Sequence, residues 1–226
     1  MRLNEIAPGE VDPIVTSYRR EKWSAGSSNV NPKELRMIFK DLERECSDII
    51  NLYKKGKQIY GGYKFFYHGT SGRSADVMVY QGRSHTNRVS RDMPNDLHAL
   101  LISTMQKVGF AAHRGNSIFV RSGDVRAYGP PYMIFPTNGF KYTFSPKIRD
   151  FYSTFLRNDN RINVLRQIKD NPQALKHFYF TDLEFKKTNL IEALVSDSEV
   201  MMSGKYYALY DKYLSDKIYN WLEELG

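Results

Sequence analysis

The spacing of apolar residues changes along the chain, and this change constrains the fold more than any other feature. Apolar residues recur with a helical period from Pro32 to Gly56, with Asn31 as a cap, and again from Asn95 to Val108. Beyond residue 116, short apolar runs bounded by turn residues predict strands instead. Because helices precede a strand-rich second half, the order favours an α+β fold over alternating α/β.

The local patterns predict further elements. Strands are expected at 63–67, 117–120, 132–135 and 140–144, and a hairpin is expected to join 200–202 to 206–210. Helices are expected from Ser145 to about Leu156, over 158–168 and over 213–225. The irregular stretch 71–94 suggests a binding loop. Residues 1–31 are predicted to form an N-terminal arm, and 32–226 a single domain.

Composition excludes several classes of protein. The chain has 226 residues, 41% of them hydrophobic and 26% charged, which is ordinary for a globular protein. It has no run of eighteen apolar residues, so a membrane-spanning helix is not expected. We also expect no secretory signal. A single cysteine, Cys46, excludes an internal disulfide and is typical of a reducing compartment.

The positive charge is concentrated in the middle of the chain. The net charge is +8, and the segment from Lys64 to Arg149 holds 12 basic and 4 acidic residues. The remaining 21 basic and 21 acidic residues cancel. A neutral frame with one positive segment favours an anionic ligand, such as a nucleic acid, a dinucleotide or an acidic protein surface. The alternative is a solvated basic face.

Three short motifs carry the candidate chemistry. The first is His68-Gly69-Thr70, where the glycine would allow a ligand to approach the backbone closely. In the second, Phe119 and Tyr128 flank a polar turn and could wall a slot for a flat ring. In the third, Glu199 precedes three apolar residues, and its carboxylate could stabilise positive charge. A surface turn, core packing and an acidic turn are the respective alternatives.

Taken together and in this order, the motifs resemble those of the ADP-ribosyltransferase family, in particular members encoded by tailed phages. The segments 132–136 and 144–152 contribute to the likeness, which covers about two thirds of the chain, from Tyr67 to Tyr210. The resemblance implies an α+β fold of split antiparallel β-sheets around a cleft, with N-terminal and C-terminal helices. It also implies an enzyme that uses NAD as a substrate and breaks its nicotinamide–ribose bond.

The resemblance further implies roles for individual residues. Glu199 would stabilise an oxocarbenium-like ribose, and His68 would contact a ribose hydroxyl. The residues expected to bind NAD are Gly69, Thr70, Arg73, Arg91, Ser117, Phe119 and Tyr128. Arg83 and Arg88 are further candidates for the pyrophosphate, which an arginine fork suits well. A host protein or a nucleic acid would accept the ADP-ribose, in the host cytoplasm, with association with the virion as an option and no membrane partner.

The chain also departs from the family pattern. Phe119 stands where a tyrosine is frequent, no Ser-Thr-Ser turn is present, and Asp197 stands where arginine-modifying members carry glutamate or glutamine. The alternative hypothesis is therefore a catalytically inactive protein of this fold, carried in the virion or binding nucleic acid through the basic segment. The histidines show no metal-ligand spacing, so no metal site is expected. Walker, Rossmann and serine-nucleophile motifs are also absent from the sequence.

Overall fold

The computed structural model describes residues 31–70, 79–84, 88, 93–156 and 159–225. These residues form two compact units, each with its own antiparallel sheet and its own helices. The first unit draws its described residues from 31–83, 123–140 and 204–225, and the second from 84–122 and 141–203. The fold is mixed α+β, as the order of helices and strands predicts. Residues 1–30 lie outside the described part, so the arm over 1–31 and the single domain over 32–226 stay predictions.

The first unit is built on a four-stranded sheet. Its elements are α1 (Pro32–Glu45), α2 (Ser47–Tyr60), β1 (Tyr67–Gly69), β2 (Val79–Arg83), the 3₁₀ turn Arg126–Tyr128, β4 (Pro131–Pro136), β7 (Lys205–Tyr210) and α8 (Asp211–Glu224). The strand order is β1-β4-β7-β2, and all pairs are antiparallel. The buried Tyr53 hydroxyl of α2 donates to the Ile134 carbonyl at 2.7 Å and accepts from the Phe66 N–H at 3.3 Å. This tyrosine therefore fastens α2 to β4.

The second unit combines a three-stranded sheet with short helices. Its elements are α3 (Asn95–Lys107), β3 (Ile118–Val120), β5 (Lys141–Phe144), α4 (Phe151–Leu156), α5 (Asp159–Ile168), α6 (Pro172–Lys176), the π-helical turn His177–Asp182, α7 (Leu190–Ser196) and β6 (Val200–Ser203). The strand order is β3-β6-β5, so β6 is central. Met201 of β6 joins an apolar cluster with residues of the helices, among them Leu101, Phe151 and Tyr179, and Phe119 packs against it.

The predicted first helix is interrupted. Asn31 caps α1 as expected, since its side chain accepts from the Lys33 N–H at 3.0 Å. The helix then breaks at Cys46, whose backbone leaves the helical region and whose thiol donates to the Phe135 carbonyl at 3.4 Å. A polar loop contact accompanies the break, because the Asn138 N–H binds the Glu45 carbonyl at 2.7 Å. Periodicity alone is continuous across this point and does not reveal the break.

Three other boundaries differ from the sequence prediction. The stretch 71–94 contains a strand, β2, which pairs with β7. The helix expected from Ser145 begins only at Phe151, because the Ser145 side chain is engaged with the Leu183 carbonyl and the Lys147 N–H. The strand expected at 63–67 begins at Tyr67, since the Phe66 N–H binds the Tyr53 hydroxyl instead.

The predicted hairpin is wrong. The strands β6 and β7 are consecutive and are separated only by Gly204, yet β6 pairs with β3 and β5 whereas β7 pairs with β4 and β2. Gly204 has φ of 136°, a conformation that side chains with a Cβ rarely adopt. Apolar strands joined by a glycine are typical of a hairpin in sequence, but here the chain continues through the glycine from one sheet into the other.

Among the described residues, no helix is both long and apolar enough to cross a bilayer.

Candidate functional site

In the first unit, the His-Gly-Thr motif lies at the end of β1. His68 pairs with Tyr132 and Gly69 pairs with Pro131 across the β1–β4 ladder. The Thr70 N–H then binds the Pro130 carbonyl at 3.3 Å, and the Thr70 side chain is 3% exposed. The motif is therefore held by backbone pairing at the edge of the four-stranded sheet.

The 3₁₀ turn Arg126–Tyr128 covers the glycine of this motif. A Cβ placed on Gly69 would come within 2.7 Å of both the Tyr128 Cβ and the Val125 carbonyl oxygen. The turn is fixed by Asp124, whose carboxylate accepts from the Arg126 N–H at 2.8 Å and pairs with its guanidinium at 2.7 Å. The Tyr128 side chain is 42% exposed. The structure thus brings two predicted NAD contacts, Gly69 and Tyr128, into direct proximity.

In the second unit, the alternation of side chains along β6 predicts that Glu199, one residue before this strand, faces the same side of the sheet as Phe119. Phe119 pairs with Met201, and Glu199 precedes Met201 by two residues. Side chains two residues apart in extended chain leave the sheet on one face. Ser117 is fully buried next to β3, and its hydroxyl donates to the Asn116 side chain at 3.1 Å. Three predicted site residues therefore belong to this sheet or its immediate border.

The Glu199 carboxylate is held by the start of α4. It accepts a hydrogen bond from the Phe151 N–H at 2.8 Å. Burial raises the pKa of Glu199 above its ordinary value, whereas this hydrogen bond and the charges of Arg114 and Arg88 act to lower the pKa. Asp150, whose effect ranks between those of Arg114 and Arg88, raises it. Burial is the largest of these effects, so the pKa of Glu199 is raised on balance and its cationic neighbours oppose the rise.

Two guanidinium groups lie against the ring of Phe119. The Arg88 guanidinium carbon lies 4.2 Å from the ring centroid, and that of Arg114 lies 5.2 Å from it. Arg114 also lies 5.5 Å from the centroid of Phe151. Cations at these distances are attracted to the electron-rich face of an aromatic ring. Phe119, one of the two rings predicted to form a slot for a flat ring, therefore already contacts two planar cations.

Two buried histidines border the arginines. His98 Nε2 donates to the Arg88 carbonyl at 2.7 Å, and among the described residues its buried Nδ1 has no hydrogen-bond partner. His113 Nδ1 accepts from the Gly115 N–H at 3.2 Å. Burial lowers the pKa of His98, and the hydrogen bond to Arg88 opposes this effect while the charges of Arg114 and Arg88 add to it. Burial and then His98 likewise lower the pKa of His113.

The residue two positions before Glu199 is also engaged. Asp197 has φ of 51° and forms an ion pair with Arg121 at 2.8 Å. Continuing the β3–β6 register beyond the Val120–Val200 pair places Arg121 opposite Glu199. The acidic turn thus meets a cationic side chain from the neighbouring strand.

The predicted residues divide between the units. His68, Gly69, Thr70, Tyr128 and Arg83 belong to the first unit, and Arg88, Ser117, Phe119 and Glu199 belong to the second. Arg73 and Arg91 lie outside the described residues. The convergence of His68 with Phe119 and Glu199 in one cleft stays a prediction.

The sequence analysis missed Arg114 as a neighbour of Glu199 and the two histidines as neighbours of the arginines. A signal was present, because Arg114 is the one Lys, Arg, Asp or Glu residue between Lys107 and Arg121. A single charged residue in an apolar stretch indicates a buried side chain with a partner.

The structure also contains a pocket of about 290 Å³ bordered by Asp96, Leu156 and Arg166, which includes none of the predicted site residues.

The chain matches no family model, and we find no curated protein and no solved structure with significant similarity to it. Within the described ranges, no group of three His, Cys, Asp or Glu residues is arranged to hold a metal ion.

Replacing Gly69 by alanine tests the close approach of the 3₁₀ turn. The added methyl group would overlap Tyr128 and Val125, so we expect Gly69→Ala to lower the free energy of unfolding by about 1–3 kcal/mol. The matched control is Gly62→Ala, because a Cβ on Gly62 meets no atom within 4 Å. Urea unfolding at equilibrium measures both, and equal stability of the two variants would contradict the contact.

The histidines predict a pH dependence of stability. Because the pKa of His98 and His113 is lower in the folded chain, the unfolded chain binds protons first as the pH falls. Their contribution is complete above about pH 6.5, the ordinary histidine pKa, and is lost as the pH falls through the lower folded values. Urea unfolding from pH 8 to pH 5 should show a smaller loss for His98→Gln than for the wild-type chain. The exposed His177→Gln serves as the control and should follow the wild-type chain. A loss in His98→Gln as large as that of the wild type would refute the assignment.

Proposed function

We propose that the chain is an NAD-dependent ADP-ribosyltransferase of phage type, which transfers ADP-ribose to a host macromolecule. The observation that carries the proposal is the cluster around Glu199. A half-buried carboxylate with cationic neighbours lies on the sheet face that carries Phe119, a ring that binds planar cations. The four-stranded and three-stranded antiparallel sheets are compatible with the split-sheet fold that the resemblance implies.

The proposed reaction needs an anion near the ribose. When the bond between nicotinamide and ribose C1 breaks, its electron pair leaves with nicotinamide and C1 becomes oxocarbenium-like, as in glycoside cleavage. Ionised Glu199 would stabilise this cation. A nucleophile of the acceptor then bonds to C1 and releases its proton. Glu199 serves this role only while deprotonated, so its cationic neighbours matter to the chemistry.

Phe119 suits the leaving half of the substrate. The nicotinamide ring of NAD is a flat cation, and the Arg88 guanidinium that lies 4.2 Å from the Phe119 centroid is also a flat cation. Nicotinamide would therefore exchange one cation–π contact for another.

The acceptor and the setting follow from the resemblance and the charge. We propose a host protein or a nucleic acid as acceptor, with the enzyme acting in the host cytoplasm after synthesis there or delivery with the virion. The positive segment from Lys64 to Arg149 supports an anionic substrate or acceptor.

A second candidate function is a catalytically inactive protein of this fold that binds nucleic acid. The observation that favours it is that Glu199 already accepts the Phe151 N–H and that two guanidinium groups already lie on Phe119. These contacts are also those of a purely structural cluster. The basic segment would then bind phosphate groups without any reaction.

Replacing Glu199 by glutamine tests the enzymatic proposal. The amide keeps the size of the side chain but removes its charge, so we expect nicotinamide release from NAD to fall by on the order of 10²–10³. The control is Glu184→Gln, since the Glu184 side chain is 42% exposed and pairs with Lys147. Equal turnover in Glu199→Gln and the wild-type chain would refute the proposed role.

Binding across a salt series tests the second candidate. We expect affinity for single-stranded and duplex DNA to fall steeply as salt rises, because each phosphate contact releases counterions. Removing the exposed charges Lys141 and Arg149, inside the basic segment, should weaken binding more than removing the exposed Lys176 and Lys187, outside it. Absence of binding at low salt would eliminate this candidate.

A further inference from the structure

Arg114 is a buried charge at the tip of a rigid turn. Its side chain is one of the few charged groups in the interior, with 6% of the residue exposed. The Asn116 side chain closes the turn, because its Oδ1 accepts from the His113 N–H at 2.9 Å and its Nδ2 donates to the Ala111 carbonyl at 2.9 Å. A Cβ on Gly115 would lie 2.7 Å from Ile102, so the turn packs closely against α3. The Arg114 side chain is therefore directed into the interior of the second unit.

The guanidinium of Arg114 lies close to two aromatic rings that border Glu199. It is 5.2 Å from the centroid of Phe119 and 5.5 Å from that of Phe151. Phe119 shares a sheet face with Glu199, and Phe151 donates its N–H to the Glu199 carboxylate. Phe151 therefore contacts both groups, the cation through its ring and the carboxylate through its N–H.

We propose that Arg114 is a positioning residue that keeps the carboxylate of Glu199 ionised and oriented toward the reacting ribose. The inference rests on the proposed function, because it assigns Arg114 a part in the chemistry of that site. Arg114 itself touches neither ribose nor nicotinamide in this proposal. It acts through Glu199 alone.

The electrostatic balance at Glu199 supports this role. An isolated buried carboxylate takes up a proton, and a nearby positive charge opposes this. Of the two arginines, Arg114 has the larger effect in lowering the pKa of Glu199, while Asp150 acts in the opposite direction. Arg121 faces Glu199 by strand register but is paired with Asp197.

Arg114 is better suited to this role than Arg88. Arg88 contacts Phe119, whereas Arg114 contacts both Phe119 and Phe151. A planar guanidinium can stack on both rings and still direct N–H groups at a carboxylate, which the single ammonium group of lysine does less well. In this proposal Arg114 is therefore the cation that stays near Glu199, and Arg88 is the cation that nicotinamide would displace from Phe119.

An NMR titration tests the electrostatic part directly. With ¹³C-labelled glutamate, the carboxyl resonance of Glu199 is the one that disappears in Glu199→Gln. We expect its midpoint to rise by about one pH unit or more in Arg114→Gln and to change much less in Arg114→Lys, which keeps the charge. The control Arg166→Gln removes an exposed charge that is paired with Asp96 in the same unit and should leave the midpoint unchanged. An unchanged midpoint in Arg114→Gln would overturn the inference.

Enzyme kinetics tests the positioning part. In Arg114→Gln we expect kcat for nicotinamide release to fall most at low pH and to recover as the pH rises, with little change in KM. Arg114→Lys should restore most of the low-pH activity. A purely structural role would instead lower kcat equally at all pH values, and this outcome would overturn the inference.

A third measurement needs no substitution of Arg114. In the wild-type chain the Nε–H resonance of Arg114 should shift with the Glu199 titration and should be displaced in Glu199→Gln. This measurement also serves if neither Arg114 variant folds. An Arg114 Nε–H chemical shift that changes neither with the Glu199 titration nor in Glu199→Gln overturns the inference. A wild-type chain that consumes no NAD overturns the proposed function instead, whatever the two resonances show.

Discussion

In the second unit, one carboxylate interacts with three separate parts of the chain. Glu199 is removed from much of the solvent and is stabilised by the Phe151 N–H and by the charges of Arg114 and Arg88. These partners come from the start of α4, from the turn before β3 and from the segment before α3. A buried anion without such partners would be protonated or would destabilise the fold. The electrostatics of one side chain therefore link three separate parts of this unit.

The same arrangement explains why the site admits both an enzymatic and a structural interpretation. Cation–π contacts and a carboxylate–amide hydrogen bond are ordinary packing devices. In the proposed reaction the same groups would supply a ring face for the flat nicotinamide cation and an anion for the developing charge. The proposed reaction requires Phe119 to exchange the Arg88 guanidinium for nicotinamide, and the relative binding free energies of the two cations decide this exchange.

The first unit depends on backbone packing more than on charge. Gly69 is enclosed by Val125 and Tyr128, and its lack of a side chain allows the 3₁₀ turn to lie against β1. Asp124 stabilises this 3₁₀ turn, because its carboxylate accepts a hydrogen bond from the Arg126 N–H and pairs with the Arg126 guanidinium. A short motif that seems ordinary in sequence therefore has a steric requirement that is specific to this fold.

Sequence determined the elements that local physics controls. The helical periods, the Asn31 cap and the apolar strands from Ile118 onward follow from side-chain spacing and backbone preference, and they identify an α+β chain. Only the tertiary structure decided where pairing is non-local. The break at Cys46, the strand β2 within a polar stretch and the separation of β6 from β7 depend on partners far away in sequence. The role proposed for Arg114 also rests on distant contacts, because the sequence around an arginine does not show which rings it will pack against.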